Sequence, residues 1–290
     1  SLERFLKENP RSLLLPLAST RMAEVYEKVG DSKEAYKQYK AIWVNHPTSP
    51  ESRTASERMK KISSSDIAAT PPTSILTASV DERYSRACNL FSNSSYREGI
   101  TELSAIMKEV DEMDDAARPK WLAEGMLKLG GAYYQIREDN KAVAVLKKLS
   151  TTASKSKMLE EAALLSARAF QRSGQRAEAA AAFDKLIKDF PGGEIAARGM
   201  YRLADMAEGD GDTARAKTLY HNLYTELPGS TLADDSIWKE GWLIYLEKDY
   251  KAAYLIFNKL LTGYPSSEFT DTAAYWSART AEKLGMVDKG

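Results

Sequence analysis

Three stretches of eleven residues read RAEAAAAFDKL at 176–186, TARAKTLYHNL at 213–223 and YKAAYLIFNKL at 250–260. When they are aligned, alanine occupies the fourth position, an aromatic ring the eighth and leucine the eleventh, and successive stretches start 37 residues apart. An i, i+4, i+7 spacing places these three side chains on one face of a helix. Self-similarity at a fixed period of this length predicts a stacked array of helical repeats.

A small residue also recurs twelve positions before each of these alanines, on what we predict is the first helix of each repeat. A leucine at such a close helix–helix approach would overpack it, at a cost of ~1–3 kcal/mol. The first-helix series is Ala23, Ala87, Gly130, Ala167, Ala204, Gly241 and Ala278. The second-helix series is Ala35, Gly99, Ala142, Ala179, Ala216 and Ala253. The offset of twelve survives wherever the period lengthens, so the insertions lie between rigid two-helix hairpins.

Glycine and proline punctuate the pattern at fixed places. Gly174 and Gly211 separate the two helices of a repeat, where we expect left-handed C-caps. Pro191, Pro228 and Pro265 follow the second helices and end them. The sequence therefore predicts an all-α fold, a right-handed α-solenoid of about six helical hairpins with a half-unit at each end.

The predicted organisation has three parts. Residues 1–62 form N-terminal helices, with a solitary helix at 50–62, and residues 80–290 form the main array. Between them, residues 63–79 are small, polar and proline-containing, which predicts a linker or an irregular crossing segment that proteases cut first. Because both ends of the sequence lie within a repeat, we expect the chain to be a piece of a longer protein.

Composition excludes several function classes. The 41 basic and 41 acidic side chains cancel, so no net field attracts nucleic acid, and no apolar run reaches the ~20 residues of a membrane span. The one cysteine, Cys88, excludes an internal disulfide. Two histidines, His46 and His221, without a cysteine partner make a zinc site improbable. We predict no metal, no cofactor and no phosphate-binding loop.

The repeats resemble tetratricopeptide repeats of bacterial envelope proteins, among them outer-membrane assembly lipoproteins, the coordinator of the Tol-Pal system and soluble lytic murein transglycosylases. The resemblance lies in the twelve-residue offset and in the helix ends Phe190-Pro191, Leu227-Pro228 and Tyr264-Pro265. The last predicted helix, 272–285, is similar to the transglycosylase helix that leads towards the catalytic domain. This resemblance implies a periplasmic location.

The resemblance does not extend to catalytic residues. The centre of that family has an acidic Glu followed by Ser, and then a Gly-Leu-Met-Gln segment. Glu51-Ser52 is followed instead by Arg53-Thr54-Ala55, and Gly-Leu-Met-Gln does not occur in the chain. We interpret Glu51 as an ordinary first-turn helix acid. The chain is predicted not to be an enzyme, and a transglycosylase domain, if the parent protein has one, is expected beyond Gly290.

The predicted binding surface is the concave face lined by first helices. Aromatic rings with nearby charges suit either a peptide or the sugar faces of a glycan strand, although each ring could also belong to the core. Trp242, beside the small Gly241, is expected to be the most exposed. The candidate residues are Tyr201, Asp205, Trp238, Trp242, Tyr245, Trp276 and Arg279.

Two functions remain open on this reading of the sequence. The first is the repeat region of a lytic-transglycosylase-like envelope protein, holding peptidoglycan or a neighbouring domain. The alternative is a protein–protein adaptor of the envelope lipoprotein or Tol-Pal coordinator type, with a peptide segment as its ligand.

Overall fold

The computed structural model describes residues 2–9, 12–66, 78–152 and 157–286, and within these ranges every regular element is helical. One short 3-10 helix spans Asp115–Ala117. The α-helices are α1 (Leu2–Glu8), α2 (Leu15–Lys28), α3 (Ser32–Asn45), α4 (Pro50–Asp66), α5 (Val80–Ser92), α6 (Tyr96–Asp111), α7 (Leu122–Gln135), α8 (Asp139–Thr152), α9 (Lys157–Arg172), α10 (Arg176–Asp189), α11 (Gly193–Gly209), α12 (Thr213–Glu226), α13 (Ala233–Leu246), α14 (Tyr250–Gly263) and α15 (Thr270–Lys283).

The helices follow one another as the repeat predicts. Six hairpins are present in the described ranges: α2–α3, α5–α6, α7–α8, α9–α10, α11–α12 and α13–α14. Helix α1 occupies the place of a second helix and α15 that of a first helix. This confirms the all-α solenoid class and the number of hairpins. The chain divides into two compact units, Ser1–Val145 and Leu146–Gly290.

The repeat positions form the core of both units. The alanines of the second-helix series, the aromatic or leucine residue four positions on and the leucine three positions after that are at most 1% exposed in α8, α10, α12 and α14. Gly241 shows why the first-helix position must be small, because a Cβ atom there would lie 2.8 Å from Cε1 of Phe257. Ala278 of α15 departs from the series and is exposed, since no second helix follows α15 among the described residues.

Every hairpin turn carries one residue in the left-handed region. The prediction for Gly174 and Gly211 is confirmed, with φ of 80° at both. The same conformation recurs at residues other than glycine, for which it costs ~1–2 kcal/mol. The left-handed residues of the six hairpin turns are Gly30, Ser94, Arg137, Gly174, Gly211 and Lys248, and Gly285 has the same conformation in the same register after α15. Their positions repeat the period of the helices, so the turn geometry belongs to the repeat whichever residue adopts it.

Helix α4 is an addition to the array, packing against α2 and α3. It extends to Asp66, four residues into the segment predicted as a linker, while residues 67–77 of that segment lie outside the described residues. The largely buried Arg86 links α5 to α3 and α4 by hydrogen bonds. Its guanidinium donates to the carbonyl of Trp43 and, at 3.3 Å, to the hydroxyl of Ser52. The three-part division of the chain therefore stays a prediction, since most of its boundary is not described.

Candidate functional site

The first helices of the second unit present two repeat positions beside the small residue, which is buried in α9, α11 and α13 and exposed in α15. Three residues before it stand Leu164, Tyr201, Trp238 and Tyr275. One residue after it stand Arg168, Asp205, Trp242 and Arg279. We call the surface formed at these two positions of α9, α11, α13 and α15 the first-helix face. Its side chains change from repeat to repeat, whereas the buried positions keep their type.

Four of the predicted site residues form one aromatic cluster on α13 and α15: Trp238, Trp242, Tyr245 and Trp276. The ring centroids of Trp242 and Trp276 are 4.9 Å apart, and those of Tyr245 and Trp276 are 4.8 Å apart. Both pairs are edge-to-face, a favourable arrangement for aromatic quadrupoles. The structure therefore brings these four side chains together as the sequence suggested, but they contact one another and are half-buried.

The cluster is anchored in the core by Trp238. Its ring lies 5.6 Å from Phe257 and 5.9 Å from Phe269, centroid to centroid. Trp242, expected to be the most exposed ring, is half-buried, whereas the neighbouring Tyr275 is 58% exposed. An aromatic ligand or sugar ring approaching this end of the unit would therefore meet Tyr275 first.

The other three predicted site residues, Tyr201, Asp205 and Arg279, are not part of the aromatic cluster. Tyr201 packs edge-to-face on the buried Tyr220, with centroids 5.6 Å apart. Asp205 is exposed. Arg279 is exposed as well and forms an ion pair with Glu282 at 2.6 Å. Of these three, Tyr201 is part of the core while the two charged residues face solvent.

A second feature of the first-helix face was not predicted. Between α9 and α11 lies a groove of about 330 Å³ that we call the arginine groove, because three of its lining residues are arginines. It is lined by Leu164, Arg168, Glu194, Arg198, Tyr201, Arg202, Thr231 and Leu232. The predicted site included the charged residues Asp205 and Arg279 but not Arg168, although Arg168 occupies the same repeat position in α9. Arg198 and Arg202 were not predicted either.

Both carboxylate oxygens of Glu194, in the arginine groove, accept hydrogen bonds from neighbouring residues. Its Oε2 accepts from the hydroxyl of Ser230 at 2.9 Å and from the backbone N–H of Thr231 at 3.2 Å. The hydroxyl of Thr231 donates to the other oxygen. Burial alone would raise the pKa of Glu194, but the hydrogen bonds from Thr231 and Ser230 outweigh it and lower the pKa. Glu194 therefore stays ionised and ties the start of α11 to the segment before α13.

Carboxylates lie near Tyr201, one of the residues that line the arginine groove. Burial and, after it, the carboxylates of Asp235 and Asp205 raise the pKa of Tyr201 to about 12. Burial and the nearby carboxylates of Asp234 and Glu268 also raise the pKa of Asp235. The first-helix face thus runs from basic at α9 and α11 through an acidic border to aromatic at α13 and α15.

A buried polar network lies between α12 and α13, also unpredicted. Glu240 is only 7% exposed, and its Oε2 accepts from the hydroxyl of Tyr224 at 2.6 Å. Its Oε1 lies 3.1 Å from Nδ1 of His221. The ammonium of Lys259 sits 4.5 Å from the centroid of the Tyr224 ring. Because both carboxylate oxygens have partners, we interpret the network as structural satisfaction of a buried charge.

The Glu51-Ser52 pair, the one sequence feature similar to a catalytic centre, lies in the first turn of helix α4. Glu51 lies in the first turn of α4, where the helix dipole favours an acid. Ser52 beside it is buried and accepts a hydrogen bond from Arg86. Among the described residues, no three or more His, Cys, Asp and Glu side chains are grouped so as to hold a metal ion. Within the same ranges, no helix has both the length and the apolar character that crossing a bilayer requires.

Comparison with known proteins agrees with the repeats. The Tetratricopeptide repeat model matches residues 161–193 and 198–230, which hold most of the hairpins α9–α10 and α11–α12. A comparison with curated proteins finds no match. The chain therefore carries tetratricopeptide-like repeats in its second unit, as the resemblance in the sequence implied.

Solved structures resemble the fold. The C-terminal part of a TPR repeat-containing protein from Cytophaga hutchinsonii has a TM-score of 0.55 at 15% identity, covering 94% of this chain and 92% of that one. The apo form of RapI has a TM-score of 0.51 at 11% identity, over 70% of this chain and 76% of that one. A MamA protein has a TM-score of 0.50 at 18% identity, over 63% and 91%. At these identities the likeness shows the fold alone.

Proposed function

We propose that this chain is a non-catalytic interaction scaffold that binds an extended protein segment along the first-helix face. The proposal is carried by the contrast between constant and variable repeat positions. Core positions repeat alanine, an aromatic or leucine residue, and leucine, whereas the first-helix face holds arginine, aspartate, tryptophan and tyrosine at equivalent places. A solenoid with a repeating core and a varied surface is suited to recognise one particular partner.

An array of immobilised peptides of about twelve residues, long enough to span two repeats, tests this proposal with the labelled chain as probe. We expect a sequence-restricted subset of peptides to bind. The double variant Arg202→Ala/Tyr275→Ala removes an exposed arginine of the arginine groove and an exposed ring of the adjoining first-helix face, and should weaken binding. The control Arg215→Ala/Leu255→Ala removes an exposed arginine and an exposed leucine from the second helices α12 and α14.

The outcomes separate the possibilities. An array that binds nothing contradicts the scaffold. Equal weakening by the control variant contradicts the assignment of the first-helix face. Release of soluble fragments from purified murein by this chain, abolished in Glu51→Gln, would contradict the non-catalytic part of the proposal.

A finer proposal concerns the parent protein. We propose that it is a periplasmic, lytic-transglycosylase-like protein in which these repeats hold a peptidoglycan glycan strand at the aromatic cluster. Support comes from the similarity of segment 272–285, most of which lies in α15, to the transglycosylase helix. The exposed Tyr275 also supports it, because its ring centroid is 5.3 Å from that of Trp276 in the aromatic cluster. Aromatic faces stack on sugar rings, which are apolar on one side.

Titrating soluble murein glycan fragments while following tryptophan fluorescence tests the finer proposal. We expect a saturable change that Tyr275→Ala and Trp242→Ala both weaken. An unchanged affinity in both variants would contradict the placement at the aromatic cluster. Reading the gene beyond Gly290 is an independent test, because a domain with Glu-Ser and Gly-Leu-Met-Gln is expected there and its absence favours the adaptor.

A further inference from the structure

We propose that the arginine groove binds an acidic stretch of the partner, through carboxylates that pair with Arg198 and Arg202. This inference rests on the proposed function and adds the chemistry of the ligand at one defined place. A neutral or basic partner segment would leave Arg202 without a counter-ion and Arg198 with only its loose pair to Glu194.

The charge inside the arginine groove is strongly unbalanced. Arg198 and Arg202 of α11 line it together with Glu194, which is the one carboxylate among its described lining residues. Arg168 of α9 also lines it, but it has an interaction of its own and is left out of this balance. Glu194 has already committed both oxygens to donors at Ser230 and Thr231. Positive charge therefore exceeds negative charge in the groove although the whole chain is neutral. A local excess of one sign in a neutral protein favours a ligand of the opposite sign.

Two of the guanidinium groups have capacity left for a ligand. The Nε of Arg198 lies 3.7 Å from Oε1 of Glu194, which is beyond hydrogen-bond distance, so this loose ion pair leaves the guanidinium able to hydrogen-bond a ligand. Arg202 is exposed and has no ion pair within the described residues. By contrast, Arg176 and Arg215 elsewhere in the unit are paired with Asp210 and Asp184. An arginine fork binds a carboxylate with two parallel hydrogen bonds, and this geometry makes it selective for acids.

The shape and the border limit the length of the acidic stretch. A volume of about 330 Å³ admits a few side chains rather than a folded domain. One repeat further on, Asp235 takes the position of Arg198, and Asp205 lies beside Tyr201. These carboxylates would repel an acidic chain that continued towards α13. We therefore expect a short acidic patch within the partner, not an acidic tail along the whole array.

Fluorescence anisotropy with three labelled peptides tests the inference. Each carries a central block of about six residues, of glutamate, glutamine or lysine, between glycine–serine flanks. We expect the glutamate peptide to bind at least about ten-fold more tightly than the other two, and less tightly as salt is raised. The variant Arg198→Gln/Arg202→Gln should weaken its binding by at least about ten-fold.

The control Arg53→Gln/Arg215→Gln removes the same net charge from exposed arginines outside the groove and should change the affinity by less than about two-fold. Circular dichroism and melting curves of both double variants check that they remain folded. Equal binding of the glutamine or lysine peptide overturns the inference, as does equal weakening by the control. In those cases the scaffold still stands if the peptide array binds other sequences, whereas an array that binds nothing contradicts the scaffold itself.

Discussion

Helices α11 and α13 use the same repeat positions, but the side chains at these positions differ in how far they are buried. Asp205 of α11 corresponds to Trp242 of α13, and Tyr201 corresponds to Trp238. On α11 the charged side chains stay in solvent beside a groove, while on α13 the rings pack on one another and on Phe257. The repeat thus fixes where a side chain is placed, and the chemistry of that side chain decides whether it packs into the core or stays in solvent.

The largest expected effect is a loss of stability on removing the ring at one repeat position, Trp238 in α13 and Tyr275 in α15. Trp238→Ala should lower the free energy of unfolding by about 3 kcal/mol, because the ring contacts Phe257, Phe269 and Trp242 and its loss leaves a cavity. Tyr275→Ala, one repeat later and 58% exposed, should lower it by less than ~1 kcal/mol. Urea unfolding followed by far-ultraviolet circular dichroism measures both. Similar losses would mean that the ring on α15 is core as well.

Exchanging the turn residues of the two hairpins should have an intermediate effect. Gly211 has φ of 80° and Lys248, one repeat later, has φ of 67°. Gly211→Lys should cost about 1 kcal/mol, because a side chain in the left-handed region clashes with the backbone. Lys248→Gly should stabilise by less than ~1 kcal/mol, since glycine also gains freedom in the unfolded chain.

A matched control for the turn exchange lies two residues away. Gly209 is helical, and a Cβ atom there would meet only Arg176, at 3.8 Å. Gly209→Ala should therefore stabilise by ~0.5–1 kcal/mol, the opposite sign to Gly211→Lys. Thermal unfolding of the three variants gives the order, and a stabilising Gly211→Lys would contradict the role of the turn.

The smallest effect concerns Glu194 in the arginine groove. Its folded pKa is lowered, so the stability it contributes over Glu194→Gln is present above its ordinary value near pH 4.5 and is lost as the pH falls through the folded pKa. We expect ~0.5–1 kcal/mol at neutral pH, since the side chain is one-third exposed. In a Thr231→Val background the difference should shrink. A difference that grows as the pH falls would contradict this assignment.

Much of the fold could be predicted because the core repeats. Phe183, Tyr220 and Phe257 were expected on the buried face, and each is fully buried. The left-handed turns at Arg137 and Lys248 could not be predicted, because the sequence signals that conformation only through glycine. There the packing of the two flanking helices overrides the local preference of the residue.

The candidate site could be predicted only in part. The register located the rings of the aromatic cluster, but it could not show that Trp242 and Trp276 would cover each other. The arginine groove could not be predicted, because charged residues occur on every described helix and do not by themselves mark a site. What distinguishes Arg202 from Arg215 is the absence or presence of a partner such as Asp184, which is distant in sequence and becomes visible only in three dimensions.

The left-handed residue at each hairpin turn bears on how such a chain changes over evolutionary time. Because each hairpin closes on itself and extra residues, including α4, lie only between hairpins, one hairpin can be copied, lost or inserted without disturbing the helices inside another. A duplication in steps of 37 residues would lengthen the proposed binding surface, while substitutions at Arg168, Asp205 or Trp242 would change the side chains that this surface presents. Length and ligand choice can therefore diverge independently.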